Sequence, residues 1–282
     1  MQLIETINEM SEVATAAVRR NKTIAFVPTM GFLHQGHLSL MAHARGLADI
    51  LVASIFVNPT QFGPNEDLDR YPRAFESDSQ KCRDQGVDYL FFPQPQEMYP
   101  DGWQTTVNVS RVTANLCGKN RPVHFTGVAT VVLKLFNIIK PTLAVFGEKD
   151  YQQLVTIRRM VKDLNLKVDV VGQPTVREPD GLAMSSRNVH LSTEERRSAL
   201  SLSASLARAR DMVAAGARAT APIIADLTAF ISHHPYTNPD YVSLVDPETL
   251  EDLNVIETRA LLALAVKVGQ TRLIDNCILS AV

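Results

Sequence analysis

The sequence predicts an α/β fold, a doubly wound parallel sheet followed by a smaller α+β domain, and three observations carry that prediction. Short apolar runs recur at residues 23–27 and 50–57 without the polar alternation of a half-exposed sheet, as strands covered on both faces require. Between them, residues 36–46 place apolar side chains at helical spacing, so strand, helix and strand follow within about 35 residues. Such a βαβ unit crosses over right-handed. Finally, the pattern changes after Gly172 and Pro174, where the alternation of strand and helix stops.

The remaining elements are read in order. Residues 88–92 read as a strand, 126–139 as an apolar helix stopped by Pro141, and 143–146 as another strand. Residues 151–163 are helix-like and 167–171 form a further strand, completing a Rossmann-like domain over residues 1–175. Residues 176–282 read as a second domain. Ser192 and Glu195 form a capping box ahead of a long helix ending near Ala215. Residues 222–232 look helical, and 241–245, 260–266 and 271–275 read as adjacent, antiparallel strands.

Composition narrows the function classes. The chain has 282 residues, 45% of them hydrophobic, and a formal net charge of −2, so there is no basic field to hold nucleic acid or acidic lipid. Small molecules are the expected partners. The longest apolar run has eight residues, far short of the roughly 20 that span a bilayer, and the acidic N-terminus does not resemble a signal peptide. Cys82, Cys117 and Cys277 show no metal or disulfide spacing, which suits reduced thiols in a cytoplasm.

The chemistry-bearing residues gather where predicted strands end. The first strand runs into Met30, Gly31, Phe32, Leu33, His34, Gln35, Gly36 and His37, two histidines in the turn entering a helix. A helix N-terminus offers unpaired N–H groups, glycine permits close approach, and imidazoles can donate to phosphate oxygens. The HExxH zinc pattern is absent. Mg²⁺ is expected only as carried by a nucleotide's phosphates.

After the second strand come Asn58, Pro59 and Gln61. Gln61 is a neutral amide able to bind hydroxyl and carboxylate together, whereas Asn58 either does the same or shapes the turn. After the strand at 143–146 stand Gly147, Glu148, Lys149 and Asp150, then Gln153 on the following helix. Lysine suits phosphate, aspartate a ribose hydroxyl, and glutamine the same crevice as Gln61. Beyond the domain break, Val176, Met184, Ser185, Ser186 and Arg187 lie in a polar loop, with Arg187 able to stabilise a leaving pyrophosphate. Arg121 could add positive charge, or simply be solvated.

Six segments in this order, PTMGFLHQGHLSL, FVNPTQF, DLDRYPR, RPVHFTGVATVV, FGEKDYQQ and EPDGLAMSSRN, resemble the pantothenate synthetase family across essentially the whole chain. The HxGH element also resembles the wider nucleotidyltransferase superfamily that includes class I aminoacyl-tRNA synthetases. The resemblance implies an ATP-dependent ligase. Pantoate carboxylate attacks the α-phosphorus of ATP, releasing pyrophosphate, and β-alanine then displaces AMP from pantoyl-adenylate to give pantothenate. It implies ATP contacts from residues 30–37, 147–150, 176 and 184–187, a proton-donor role for His37, and pantoate binding by Gln61 and Gln153. With His37, His34, Lys149 and Arg187 form the expected catalytic set.

The resemblance also implies a homodimer and a C-terminal domain that closes over the nucleotide. A family Mg²⁺ position falls in the region of Asp78, which equally suits a solvated helix face. The alternative reading is a nucleotidyltransferase passing AMP or CMP to a phosphorylated small molecule, which calls for more Lys or Arg than Gln61 and Gln153 supply. A catalytically silent nucleotide binder is the other class, disfavoured by the histidines and Lys149.

Overall fold

The computed structural model describes residues 1–64, 66 and 68–281, so Asp67 of the DLDRYPR segment lies outside the described residues. It divides into two compact units. The first comprises Met1–Ser110, Arg121–Glu148 and Gln153–Pro174, the second Arg111–Asn120, Lys149–Gln152 and Thr175–Val282.

The first unit is built on β1 (Gln2–Ile4), β2 (Ile24–Thr29), β3 (Ile50–Ile55), β4 (Tyr89–Phe91), β5 (Leu143–Gly147) and β6 (Asp169–Gln173). All pairings are parallel, in the order β1-β4-β3-β2-β5-β6. This is the predicted doubly wound sheet. From β2 the chain winds outward through β3 to β4, then returns to β5 on the other side, which puts the topological switch point between β2 and β5.

Alternating side chains feed two cores. Ile24, Phe26, Val52, Phe91 and Phe146 pack with α1 (Ile7–Arg19), α6 (His124–Ile139) and α7 (Tyr151–Asp163). Ala25, Val27, Leu51, Ala53, Leu90 and Val145 pack with α2 (Gln35–Arg45) and α3 (Phe75–Asp84). Burial on both faces is why these strands read as unbroken apolar runs. β6 starts at Asp169 rather than 167, because its register with β5 pairs Leu143 with Asp169 and Gly147 with Gln173. The short helix α4 (Pro95–Met98) buries Met98 in the first of these cores.

In the second unit, β7 (Thr237–Val245), β8 (Arg259–Val268) and β9 (Thr271–Ser280) form an antiparallel sheet packed against α8 (Thr193–Ala214) and α9 (Thr220–Ser232). The predicted capping box is present. Ser192 Oγ accepts from Glu195 N at 3.2 Å and Glu195 Oε2 accepts from Ser192 N at 2.8 Å. β7 begins four residues before the predicted start because a bulge between Pro239 and Tyr241 lets the strand carry a proline. β9 continues past the predicted end at 275 because Asp275, polar by type, is buried and paired with Arg177. The short helix α5 (Leu116–Asn120) joins this unit: Asn120 donates to Asp240 at 2.7 Å, as does the nearby Asn115 to Leu250 O at 3.2 Å. Among the described residues no helix is long and apolar enough to cross a membrane.

Candidate active site

β2 ends at Thr29 and the chain turns sharply through Gly31 (φ 83°) and Phe32 (φ 49°). A left-handed phenylalanine costs about 1–2 kcal/mol, so something must hold it. That partner is Asp78 on α3, 1% exposed, which accepts from Phe32 N at 2.6 Å and Leu33 N at 2.8 Å. Two hydrogen bonds to a charged group, about 1.5–3 kcal/mol each, outweigh the strain. Lys81 Nζ donates to Leu33 O at 2.7 Å. Asp78 is therefore not on a solvated helix face: its partners lie 46 and 45 positions away in the chain.

His34 is the N-cap of α2. Its Nδ1 accepts from Gly36 N at 3.1 Å, while His37 Nδ1 accepts from His34 N at 3.3 Å, a reciprocal cap made of two imidazoles whose centroids lie 4.1 Å apart. With Nδ1 accepting in both rings, the proton of each neutral ring sits on Nε2. The expected cradle of unpaired backbone N–H groups is not what forms. The N–H groups of Gly31, Phe32, Leu33, His34, Gly36, His37 and Leu38 all bond within the chain, and only exposed Gln35 is left out of this set. Beside these paired backbone groups, the loop's side-chain donors are the imidazole Nε2–H groups.

After β3, Asn58 caps a single turn, Pro59–Gln61. Asn58 is 1% exposed and all its capacity is used inside the protein. Its Oδ1 accepts from Thr60 N, Thr60 Oγ1 at 2.9 Å and Tyr99 OH at 2.8 Å; its Nδ2 donates to Gly127 O at 3.2 Å and Gln61 Oε1 at 3.1 Å. A backbone N–H on one side and a backbone carbonyl on the other fix which end of Asn58 is the amide nitrogen. That fixes Gln61 in turn, whose Nε2 points to Met30 Sδ at 3.0 Å. Asn58 thus orients Gln61, and burial keeps Tyr99 a protonated donor by pushing its pKa up.

The segment leading into α6 frames the same turn. His124 Nδ1 donates to Gln61 O at 2.9 Å and Arg121 reaches that oxygen at 3.5 Å. Arg121 is not simply solvated: it pairs with Glu66, donating from Nε at 2.7 Å. A Cβ on Gly127 would lie 2.4 Å from Thr60 O and 2.6 Å from Gln61 N, so only glycine lets the helix pass this close.

β5 ends at Gly147. Its pairing of Ala25 with Leu143 and Phe26 with Ala144, continued along the strands, sets Thr29 level with Gly147, while β3 sets Thr29 level with Ile55. The histidine loop, the Asn58–Gln61 turn and Gly147 therefore leave the same edge of three neighbouring strands, at the switch point where such sheets bind ligands. Glu148 packs beside Gly172, and half-buried Gln153 opens this unit's share of α7.

In the second unit, half-buried Lys149 and exposed Asp150 precede Gln152, whose Nε2 donates to Val112 O at 2.9 Å and Asn115 O at 2.7 Å; Asn276 donates to Lys149 O at 2.8 Å. The polar loop is a small hairpin. Met184 N donates to Val176 O at 3.0 Å and Glu178 N to Leu182 O at 2.8 Å, closed by Gly181 at φ 95°. Arg177 anchors it to Asp275 through two bonds of 2.7 and 2.9 Å. Ser185 Oγ then caps the turn Ser186–His190 by accepting from Arg187 N at 3.3 Å; Ser186 is buried and Arg187 half-buried.

A comparison with protein families matches residues 2–278 to the model described as pantoate-beta-alanine ligase. The chain belongs to the pantoate-beta-alanine ligase family. Pantothenate synthetase of Syntrophobacter fumaroxidans is 57% identical to it over 279 residues, 99% of each chain, and that of Geobacter sulfurreducens 53% over 279 residues, again 99% of each. Among solved structures, pantothenate synthetase from Thermus thermophilus superposes with a TM-score of 0.92 at 46% identity, covering 98% of this chain and 99% of that one. Pantoate-beta-alanine ligase from Francisella tularensis, complexed with beta-gamma ATP and beta-alanine, gives 0.82 at 35% identity, covering 99% and 97%.

For this member of the pantoate-beta-alanine ligase family, sequence reasoning does not single out Tyr99, His124, Gly127 or Lys81, which touch the site's framework rather than its surface. The only signal is the run RPVHFTG, which shows its likeness to the family but not the close approach that it makes. As for metal, both Asp78 oxygens hold backbone N–H groups and the Lys81 ammonium lies 3.9 Å away, a poor place for a divalent cation. Among the described residues no group of three or more His, Cys, Asp or Glu side chains is arranged to hold a metal ion.

Proposed function

We propose that this chain is an ATP-dependent ligase that condenses (R)-pantoate with β-alanine, giving pantothenate, AMP and pyrophosphate through pantoyl-adenylate. The observation that carries the proposal is the pairing, along one sheet edge, of two Nε2–H imidazoles with a buried amide whose orientation is set by Asn58. Such an edge offers donors to a triphosphate beside a neutral site for a small hydroxy acid.

In the first step a pantoate carboxylate oxygen attacks the α-phosphorus of ATP, and the bond to the β-phosphate oxygen breaks to release pyrophosphate. Gln61 and Gln153 hold the acid; an amide adds no charge and forms no ion pair that would lower carboxylate nucleophilicity. His34 and His37 donate from Nε2 to phosphate oxygens as negative charge develops, with His37 the principal donor. Lys149 and Arg187 share that charge, and residues 30–37, 147–150, 176 and 184–187 complete the nucleotide contacts. Mg²⁺ enters as MgATP, bound by phosphate oxygens.

In the second step the β-alanine amine attacks the acyl carbon, AMP departs, and the amine gives up a proton. Adenylation replaces a poor leaving group with AMP, and water must be kept from the mixed anhydride. The protein works as a cytoplasmic homodimer in this reading; its three free cysteines suit a reducing compartment. Mass spectrometry of a reaction containing ATP, Mg²⁺, pantoate and β-alanine tests the proposal. Pantothenate and AMP in equal amounts support it, and ADP or a nucleotidylated product excludes it.

A further inference from the structure

Asp78 is a fully buried carboxylate, and the two-step reaction gives it no task. Each of its oxygens takes one backbone N–H, from Phe32 at 2.6 Å and Leu33 at 2.8 Å. One turn along α3, Lys81 takes the carbonyl of Leu33 at 2.7 Å and stands 3.9 Å from the carboxylate. The peptide groups on both sides of Leu33 are therefore gripped from one helix face.

The gripped segment is the one that cannot hold itself. Gly31 and Phe32 are consecutive left-handed residues, at φ 83° and 49°, and a Cβ on Gly31 would already lie 3.2 Å from Asp78 Oδ2. Leu33 leads directly into His34, the N-cap on which both imidazoles depend. Any slackening at 31–33 rotates the cap, and with it the direction of both Nε2–H bonds.

We propose that Asp78 and Lys81 are positioning residues for adenylate formation, acting through the backbone of residues 31–33, and that Asp78 does not serve as a magnesium ligand. The inference rests on the reading that His34 and His37 serve the adenylation step. A divalent ion at Asp78 would have to share both oxygens with backbone donors and sit beside an ammonium group of the same sign. The turn that carries Asn58 and Gln61 is held by a separate set of contacts, from Tyr99, Gly127 and His124, which the pair does not touch.

The test uses Asp78→Asn and Lys81→Met in the full chain, with three readouts. Asparagine can accept one of the two N–H groups but turns an NH₂ toward the other. Backbone hydrogen–deuterium exchange over residues 30–37 is expected to speed up in both variants. The kcat of pantoate-dependent pyrophosphate exchange is expected to fall about 100-fold in Asp78→Asn and about tenfold in Lys81→Met, as misplacement of catalytic groups produces. Pantoate affinity by calorimetry and the Mg²⁺ concentration for half-maximal rate stay at wild-type values.

Recovery of Asp78→Asn by excess Mg²⁺, or unchanged amide exchange in both variants, overturns the proposal. If Asp78→Asn does not fold, Lys81→Met decides alone: its ammonium is partly exposed, and a wild-type rate with wild-type amide protection overturns the clamp. Amide exchange needs no turnover. A wild-type protein without pyrophosphate exchange would therefore fault the reaction assignment while the clamp is judged on protection.

Discussion

Asn58 donates from Nδ2 to Gln61 Oε1 across 3.1 Å, with both side chains buried. Asn58→Asp removes that donor and sets two acceptors against each other. The KM for pantoate is expected to rise at least about tenfold, ~1.4 kcal/mol, with the KM for ATP unchanged. Tyr99→Phe removes one bond to Asn58 Oδ1 and should cost about 1 kcal/mol of stability with a smaller rise in pantoate KM. Steady-state kinetics in each substrate checks both; a larger effect on ATP than on pantoate contradicts the assignment.

Gly127→Ala places a methyl group 2.4 Å from Thr60 O, a backbone atom that cannot swing aside. Overpacking of this kind costs about 1–3 kcal/mol. Thermal unfolding should fall accordingly and pantoate affinity should drop as the Gln61 turn shifts. Gly147→Ala is the control, since a Cβ there meets nothing within 4 Å.

His37→Ala should lower the rate of adenylate formation by roughly 10²–10³, the loss seen when one donor to a developing anion is removed, without unfolding the protein. Nitrogen-15 NMR of the imidazoles reads the premise separately. Both His34 and His37 are expected as the Nε2–H tautomer; an Nδ1–H tautomer at either would undo the capping geometry.

Burial raises the Glu66 pKa, but the hydrogen bonds and charge of Arg121 outweigh it and hold the carboxyl below its usual 4.5. A folded-state pKa below the unfolded one stabilises above the unfolded value and is lost as pH falls through the folded one. Denaturant unfolding should therefore show the Glu66 contribution present above about pH 4.5 and fading below it. Glu66→Gln should lower stability near neutrality and flatten that part of the acid limb.

Arg177→Met leaves the carboxylate of Asp275, 1% exposed, without its guanidinium. An uncompensated buried charge costs about 3–5 kcal/mol. Adding Asp275→Asn should recover part of the loss in a double-mutant cycle followed by thermal unfolding, and full additivity would mean that the pair does not couple.

What was legible in the sequence had local causes. Strands β2, β3 and β5 stood out because both faces are apolar, and the loops after them because glycine, histidine and amide residues follow at once. The Ser192–Glu195 box was readable because both partners lie within one turn. β1 and α1 were passed over: β1 is only three residues long, although Thr6 as cap and Met10, Ala14 and Ala17 at helical spacing signal α1. Asp78 looked solvated among Glu76, Ser77 and Ser79, since nothing local announces partners at residues 32 and 33. The roles of Tyr99 and Gly127 were hidden likewise. They exist only once the turn after β3 meets the end of α4, where Tyr99 stands, and α6.

Pantoate-dependent exchange of labelled pyrophosphate into ATP, without amine, tests the central claim most directly. The account predicts exchange that requires pantoate and Mg²⁺, is slowed by roughly 10²–10³ in His37→Ala, and gives way to AMP and pantothenate on addition of β-alanine. Absence of exchange at saturating ATP, Mg²⁺ and pantoate, in a folded protein, would contradict an adenylate route.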